Sequence, residues 1–119
     1  MCIRIDVSNV YSFYYVRKEG INIMKLMISQ PMRGKTNEQI REERSELVKQ
    51  LEAEGHVVVD TIFENAPAHE DVAIYMLSQS IRHIGKVDGV VFMPGWNTAR
   101  GCKVEYQVAQ DYGKFIKII

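Results

Sequence analysis

From Met24 onward the hydrophobic positions alternate between two periods, and the alternation predicts the elements. Lys25-Leu26-Met27-Ile28-Ser29 is a short apolar run stopped by Pro31, which reads as a strand. Thr36-Asn37-Glu38-Gln39 matches a capping box, with Thr36 as N-cap and Gln39 reaching back. Ile40, Leu47, Val48 and Leu51 then share one helical stripe, and Gly55 closes the helix. His56-Val57-Val58-Val59-Asp60 is a β-branched second strand, followed by a loop from Thr61 to Glu70 that contains Pro67. Ala73, Leu77, Ile81 and Ile84 recur at spacings of 4, 4 and 3 and predict a second helix ending at Gly85. Asp88 to Met93 is the third strand. Gly101 to Tyr112 is the third helix, with Val104 and Val108 inward and Gly113 as its stop. Lys114 to Ile119 is a terminal strand.

This βαβαβαβ order predicts an α/β three-layer sandwich around a small parallel sheet of four strands. Right-handed crossovers leave few topologies, and the order 2-1-3-4 of a flavodoxin-like or Rossmann-like sheet is the expected one. Its switch point falls between the first and third strands, where open α/β sheets bind ligands. The loops leaving those strands are Gln30 to Lys35 and Pro94 to Arg100. The second runs into a helix N-terminus, whose backbone N–H groups suit an anion or a sugar. Glu105, early in that helix, leans back toward the mouth because helical Cβ bonds tilt toward the N-terminus.

Composition narrows the picture. A chain of 119 residues has room for one core. Fifteen basic and fifteen acidic residues cancel, so charge offers no support for a nucleic-acid or membrane partner. No apolar stretch approaches the roughly 20 residues that span a bilayer. Cys2 and Cys102 follow no metal-ligand spacing, and a reduced cytoplasmic setting is the simple expectation. Residues 1–23 show no clean period. Lys18-Glu19-Gly20 can be encoded by a bacterial ribosome-binding sequence at a suitable distance before Met24. The expectation is therefore a translated leader over 1–23 and a domain over 24–119; an authentic arm packed on a partner subunit is the alternative.

Several nucleotide folds are excluded by their fingerprints. There is no G-x-G-x-x-G after the first strand, no P-loop, no Ser/Thr-rich flavin cradle and no Cys-x5-Arg phosphatase loop. What remains resembles the nucleoside 2-deoxyribosyltransferase superfamily, in its small bacterial and phage branch. The residues that carry the resemblance are Ile28-Ser29-Gln30-Pro31-Met32-Arg33-Gly34, Asp88-Gly89-Val90-Val91-Phe92-Met93-Pro94-Gly95-Trp96 and Ala99-Arg100-Gly101-Cys102-Lys103-Val104-Glu105.

The resemblance implies that Glu105 is the nucleophile: it attacks the anomeric carbon, the base leaves, and water or a second base resolves the ester. It implies that Ser29, Gln30, Met32, Arg33 and Gly34 cradle the sugar or 5′-phosphate. Asp88, Gly95, Trp96, Asn97, Thr98, Arg100 and Gly101 complete the binding set. No cofactor or metal is implied, the partner is a nucleoside or nucleotide, and a homo-oligomer is expected by analogy. Two positions depart from the pattern. Ser80 stands where active relatives carry an aspartate, and Ala99 where phosphate-binding relatives often carry a serine. Asp60, Glu64 and Asp71 are other possible proton sources.

Plainer roles compete at several positions. Trp96 reads as a base-stacking lid or an aromatic plug, and Asn97 as a ribose contact or an N-cap. Cys102 reads as a packed small residue, His69 and His83 as surface residues, and the methionines as core filler. The Glu/Arg/Lys run of the first helix reads as a solvated face. Two functions from other classes stay open: a nucleotide-binding sensor without turnover, and a phage accessory protein with a vestigial pocket.

Overall fold

A computed structural model of the chain describes Tyr15–Val16 and residues 22–119. Tyr15–Val16 (β1) pairs antiparallel with Asn22–Ile23 (β2). Those short strands apart, the expected leader lies outside the described residues. The sheet and helices follow in the predicted alternation: Lys25–Ser29 (β3), Asn37–Ala53 (α1), Val57–Val59 (β4), Val72–Ile84 (α2), Gly89–Phe92 (β5), Arg100–Asp111 (α3) and Phe115–Ile118 (β6). A 3₁₀ turn at Trp96–Thr98 precedes α3.

The main sheet runs β4-β3-β5-β6 and is parallel throughout, which is the order 2-1-3-4 among its four strands. Side-chain alternation splits its core in two. Leu26, Ile28 and Val91 face α1 and pack with Leu47 and Leu51. Met27, Val90 and Phe92 face α2 and α3 and pack with Ile84, Val87 and Ala109. Because both faces are covered, β3 and β5 read as nearly unbroken apolar runs.

Local chemistry sets the element boundaries. The Thr36 side chain accepts from Gln39 N–H at 3.1 Å, and Gln39 Oε1 accepts from Thr36 N–H at 2.8 Å, completing the capping box. At the other end of α1, Gly55 takes φ +97°, which lets Gly55 N–H reach Glu52 O and His56 N–H reach Leu51 O. β4 is two residues shorter than expected. Asp60 Oδ1 accepts from Ile62 N–H at 3.0 Å, a local turn that ends the strand, and His56 is already committed to the helix cap.

Other inward assignments are corrected. Val104 is exposed, and the buried face of α3 is Cys102, Glu105 and Ala109. Ala73 is exposed on the first turn of α2, while Ser80 and Ile84 are buried. Arg44, expected on a solvated face, is 5% exposed. Asn97 is not the N-cap of α3; Ala99 holds that position without a side-chain bond.

Two consequences are measurable. A Cβ on Gly89 would lie 2.8 Å from the Phe115 carbonyl oxygen on the neighbouring strand. Gly89→Ala is therefore expected to destabilise the fold by about 1–3 kcal/mol through overpacking against backbone. An unchanged denaturant midpoint would contradict that close approach.

The second concerns pH. His56 Nδ1 accepts from Met24 N–H at 3.1 Å, which requires that nitrogen unprotonated. Burial lowers the His56 pKa from its ordinary 6.5, with Glu54 opposing and Lys117 adding to the effect. The unfolded state therefore takes up the proton first, and stability falls as pH drops through about 6.5 toward the folded-state value. His56→Gln should flatten this part of the stability profile; a slope equal to wild type would contradict the assignment.

Candidate functional site

The C-terminal ends of β3 and β5 meet at the switch point. Met93 N–H donates to Ser29 O at 3.0 Å, and Pro31 Cγ would lie 3.4 Å from a Cβ on Gly95, so the two predicted loops are neighbours. Ser29 ends β3 on the α2/α3 face. Its hydroxyl donates to Glu105 Oε1 at 2.5 Å across 76 residues of chain. Glu105 is only 8% exposed, and Ser80, on the buried stripe of α2, faces the same carboxylate.

Burial dominates the electrostatics of Glu105 and raises its pKa above the ordinary carboxylate value. The Ser29 and Ser80 hydroxyls and the charge of Arg44 act in the opposite direction. Burial likewise pushes the Cys102 thiol up, Ser29 opposes, and the neighbouring Glu105 charge adds to the rise. Cys102 is thus a packed small residue rather than an activated thiolate.

Around the carboxylate the predicted residues separate into groups. Gly95, Asn97, Thr98 and Arg100 ring the mouth of α3, with Asn97, Thr98 and Arg100 exposed. Thr98 Oγ1 donates to Gly95 O at 2.9 Å. Gly101 is half-buried beside Leu77. Met32 is half-buried, and Arg33 and Gly34 are exposed on the turn closed by Lys35 N–H donating to Met32 O at 3.1 Å. Trp96 stacks on Tyr106 with centroids 4.6 Å apart and planes at 24°, and both rings lean on Phe92. It is a fixed aromatic wall, closer to the plug than to the lid.

Two predicted contacts are corrected. Asp88 precedes β5 and lies at the opposite end of the sheet from Glu105. There it exchanges bonds with Lys25: Lys25 N–H donates to Asp88 Oδ2 and Asp88 N–H to Lys25 O, both at 2.8 Å. Gln30 is buried and turned to the α1 side, donating to Ile40 O at 3.1 Å and Glu43 Oε1 at 2.9 Å and accepting from Arg44. Its amide is spent within the protein.

The other possible proton sources also have partners or distance against them. Asp71 caps α2 by accepting from Ile74 N–H, Asp60 pairs with Arg41 at 3.2 Å, and Glu64 is exposed. His69 is exposed, whereas His83 is half-buried against Phe63.

Two residues of the site were not read from the sequence as contributors: Arg44, and Ser80 as a partner of Glu105. Their signal was positional. Arg44 completes the stripe Ile40, Leu47, Leu51, and Ser80 lies between Leu77 and Ile84 on the buried face of α2. An open groove of about 600 Å³ lies elsewhere, between α1 and the chain end, lined by residues such as Glu46, Gln50, Met93 and Ile119. It contains none of the predicted site residues.

Among the described residues no three His, Cys, Asp or Glu side chains are grouped to hold a metal ion, and no helix is long and apolar enough to cross a membrane. Comparison with known families decides the chain's membership. The model of a domain of unknown function, DUF4406, matches residues 24–118. The chain belongs to the DUF4406 family. No curated protein and no solved structure matches this DUF4406 chain. The match spans every element of the main sheet and the residues around Glu105.

Proposed function

We propose that this DUF4406 domain binds a nucleoside or nucleotide at the ends of β3 and β5 and cleaves or transfers at the N-glycosidic bond of a deoxynucleoside or its 5′-monophosphate. The observation that carries the reading is the buried Glu105 carboxylate, held by Ser29 on one oxygen at the lip of a helix N-terminus. With Oε1 engaged, the other oxygen is the one available to attack C1′. The C1′–N bond breaks with its electron pair leaving on the base, which takes a proton from solvent. A deoxyribosyl ester of Glu105 results, and water or a second base opens it and restores the carboxylate. Assignment to the nucleoside 2-deoxyribosyltransferase superfamily is part of this proposal, as is a homo-oligomer in which a neighbour closes the site.

One observation favours a second reading. The position facing Glu105 from α2 is Ser80, which can hydrogen-bond but cannot act as a second carboxylate. A site with one carboxylate supports nucleotide binding without turnover. The two are separated by incubating the protein with 2′-deoxynucleosides and their 5′-monophosphates, following free base and melting temperature together. Base release supports the enzyme; stabilisation without release supports the sensor; neither response overturns both.

A further inference from the structure

Arg44 has no part in the reaction just described, yet it is the most deeply placed charge of α1. Its Nε donates to Gln30 Oε1 at 2.8 Å and its Nη1 to Thr61 Oγ1 at 3.4 Å. The Thr61 hydroxyl donates in turn to Ile28 O at 3.3 Å. Gln30 and Ile28 are the two chain neighbours of Ser29. One guanidinium therefore grips both sides of the residue whose hydroxyl holds Glu105. Its remaining nitrogen, Nη2, is buried without a hydrogen-bond partner among the described residues. An unpaired buried donor destabilises the fold, and a leucine or methionine at this stripe position would carry no such cost. Pure packing does not account for an arginine here.

We infer that Arg44 is a positioning residue for Glu105: from the α1 side it fixes the strand end that presents Ser29, and it sets a permanent positive charge near the carboxylate. A guanidinium keeps its charge at every working pH, so the effect does not titrate away. The groups facing Glu105 are Ser29 from β3, Ser80 from α2, Cys102 from its own helix and the charge of Arg44 from α1. Asp60 and Arg41 are the other charges near Arg44. Among these neighbours Arg44 is the cation whose charge favours the ionised form of Glu105. The inference rests on Glu105 as nucleophile only for its effect on turnover; the charge and the brace are measurable without substrate.

The test is a carboxyl NMR titration of Glu105 in wild type, Arg44→Met and Arg44→Lys, with the pH profile of base release recorded beside it. Removing the charge should raise the Glu105 midpoint, and lysine should bring it back toward wild type. The acid limb of the base-release profile should move with it. An unmoved midpoint in folded Arg44→Met overturns the inference. If Arg44→Met does not fold, Gln30→Met carries the test: freeing the guanidinium from its 2.8 Å acceptor should move the midpoint the same way, and no change overturns the inference. Absence of base release from wild type would count against the proposed reaction alone, since the titration still reads the role of Arg44.

Discussion

Glu105→Gln is expected to abolish base release and, at neutral pH, to leave the protein more stable than wild type. Loss of a nucleophile from a two-step displacement costs on the order of a thousandfold or more in rate. The gain in stability has a separate cause. Burial raises the Glu105 pKa, with the serine hydroxyls and Arg44 only partly opposing, so folding favours the protonated carboxyl. Its contribution is thus fully present below the ordinary carboxylate pKa and is lost as pH rises through the folded-state value. Glutamine keeps the shape and carries no charge at any pH. The variant should therefore melt above wild type at pH 7, with the difference shrinking toward pH 4. A residue kept at a cost to stability is the usual mark of a working site. A variant that melts below wild type at pH 7 would show that the charge is structural.

Phe92→Ala should have the opposite effect on the fold. Phe92 is fully buried at the end of β5, in the core beneath α2 and α3, and supports both Trp96 and Tyr106 at centroid distances of 5.3 and 5.5 Å. Removing the ring leaves a cavity under that stacked pair and should cost about 3–5 kcal/mol. Trp96 fluorescence should change in the variant even where it remains folded, because the ring loses its floor. A loss below about 1 kcal/mol, with unchanged fluorescence, would mean that the wall stands without Phe92.

The architecture was legible because each element carries its own period and punctuation. The capping box at Thr36, the turn at Gly55 and the apolar runs of β3 and β5 are local features, and local chemistry decides them. The site was legible in part. Glu105 and Ser29 were both singled out, and the structure joins them by a hydrogen bond. Asp88 was misplaced because its binding role came from the resemblance, whereas its place at the start of the third strand puts it at the end of the sheet away from the switch point. Gln30 was misread because the side to which an amide turns depends on α1, distant in sequence.

Arg44, Ser80 and Glu105 share a pattern that explains the remaining misses. Each is a polar residue on the buried stripe of its helix, one each on α1, α2 and α3. Amphipathic periodicity assigns such positions to apolar residues, so Val104 was read as inward and Arg44 as solvated. A polar residue that interrupts a buried stripe needs a partner. Here Ser29 bonds the Glu105 carboxylate directly, Ser80 faces it from α2, and the arginine reaches the chain neighbours of Ser29 through Gln30 and through Thr61 on Ile28.

The most direct test of the account is free-base release from 2′-deoxynucleosides and their 5′-monophosphates by wild type and Glu105→Gln under identical conditions. The prediction is release from at least one substrate by wild type and none above blank from the folded variant. Undiminished release by Glu105→Gln, or none from wild type with any of these substrates, would contradict it.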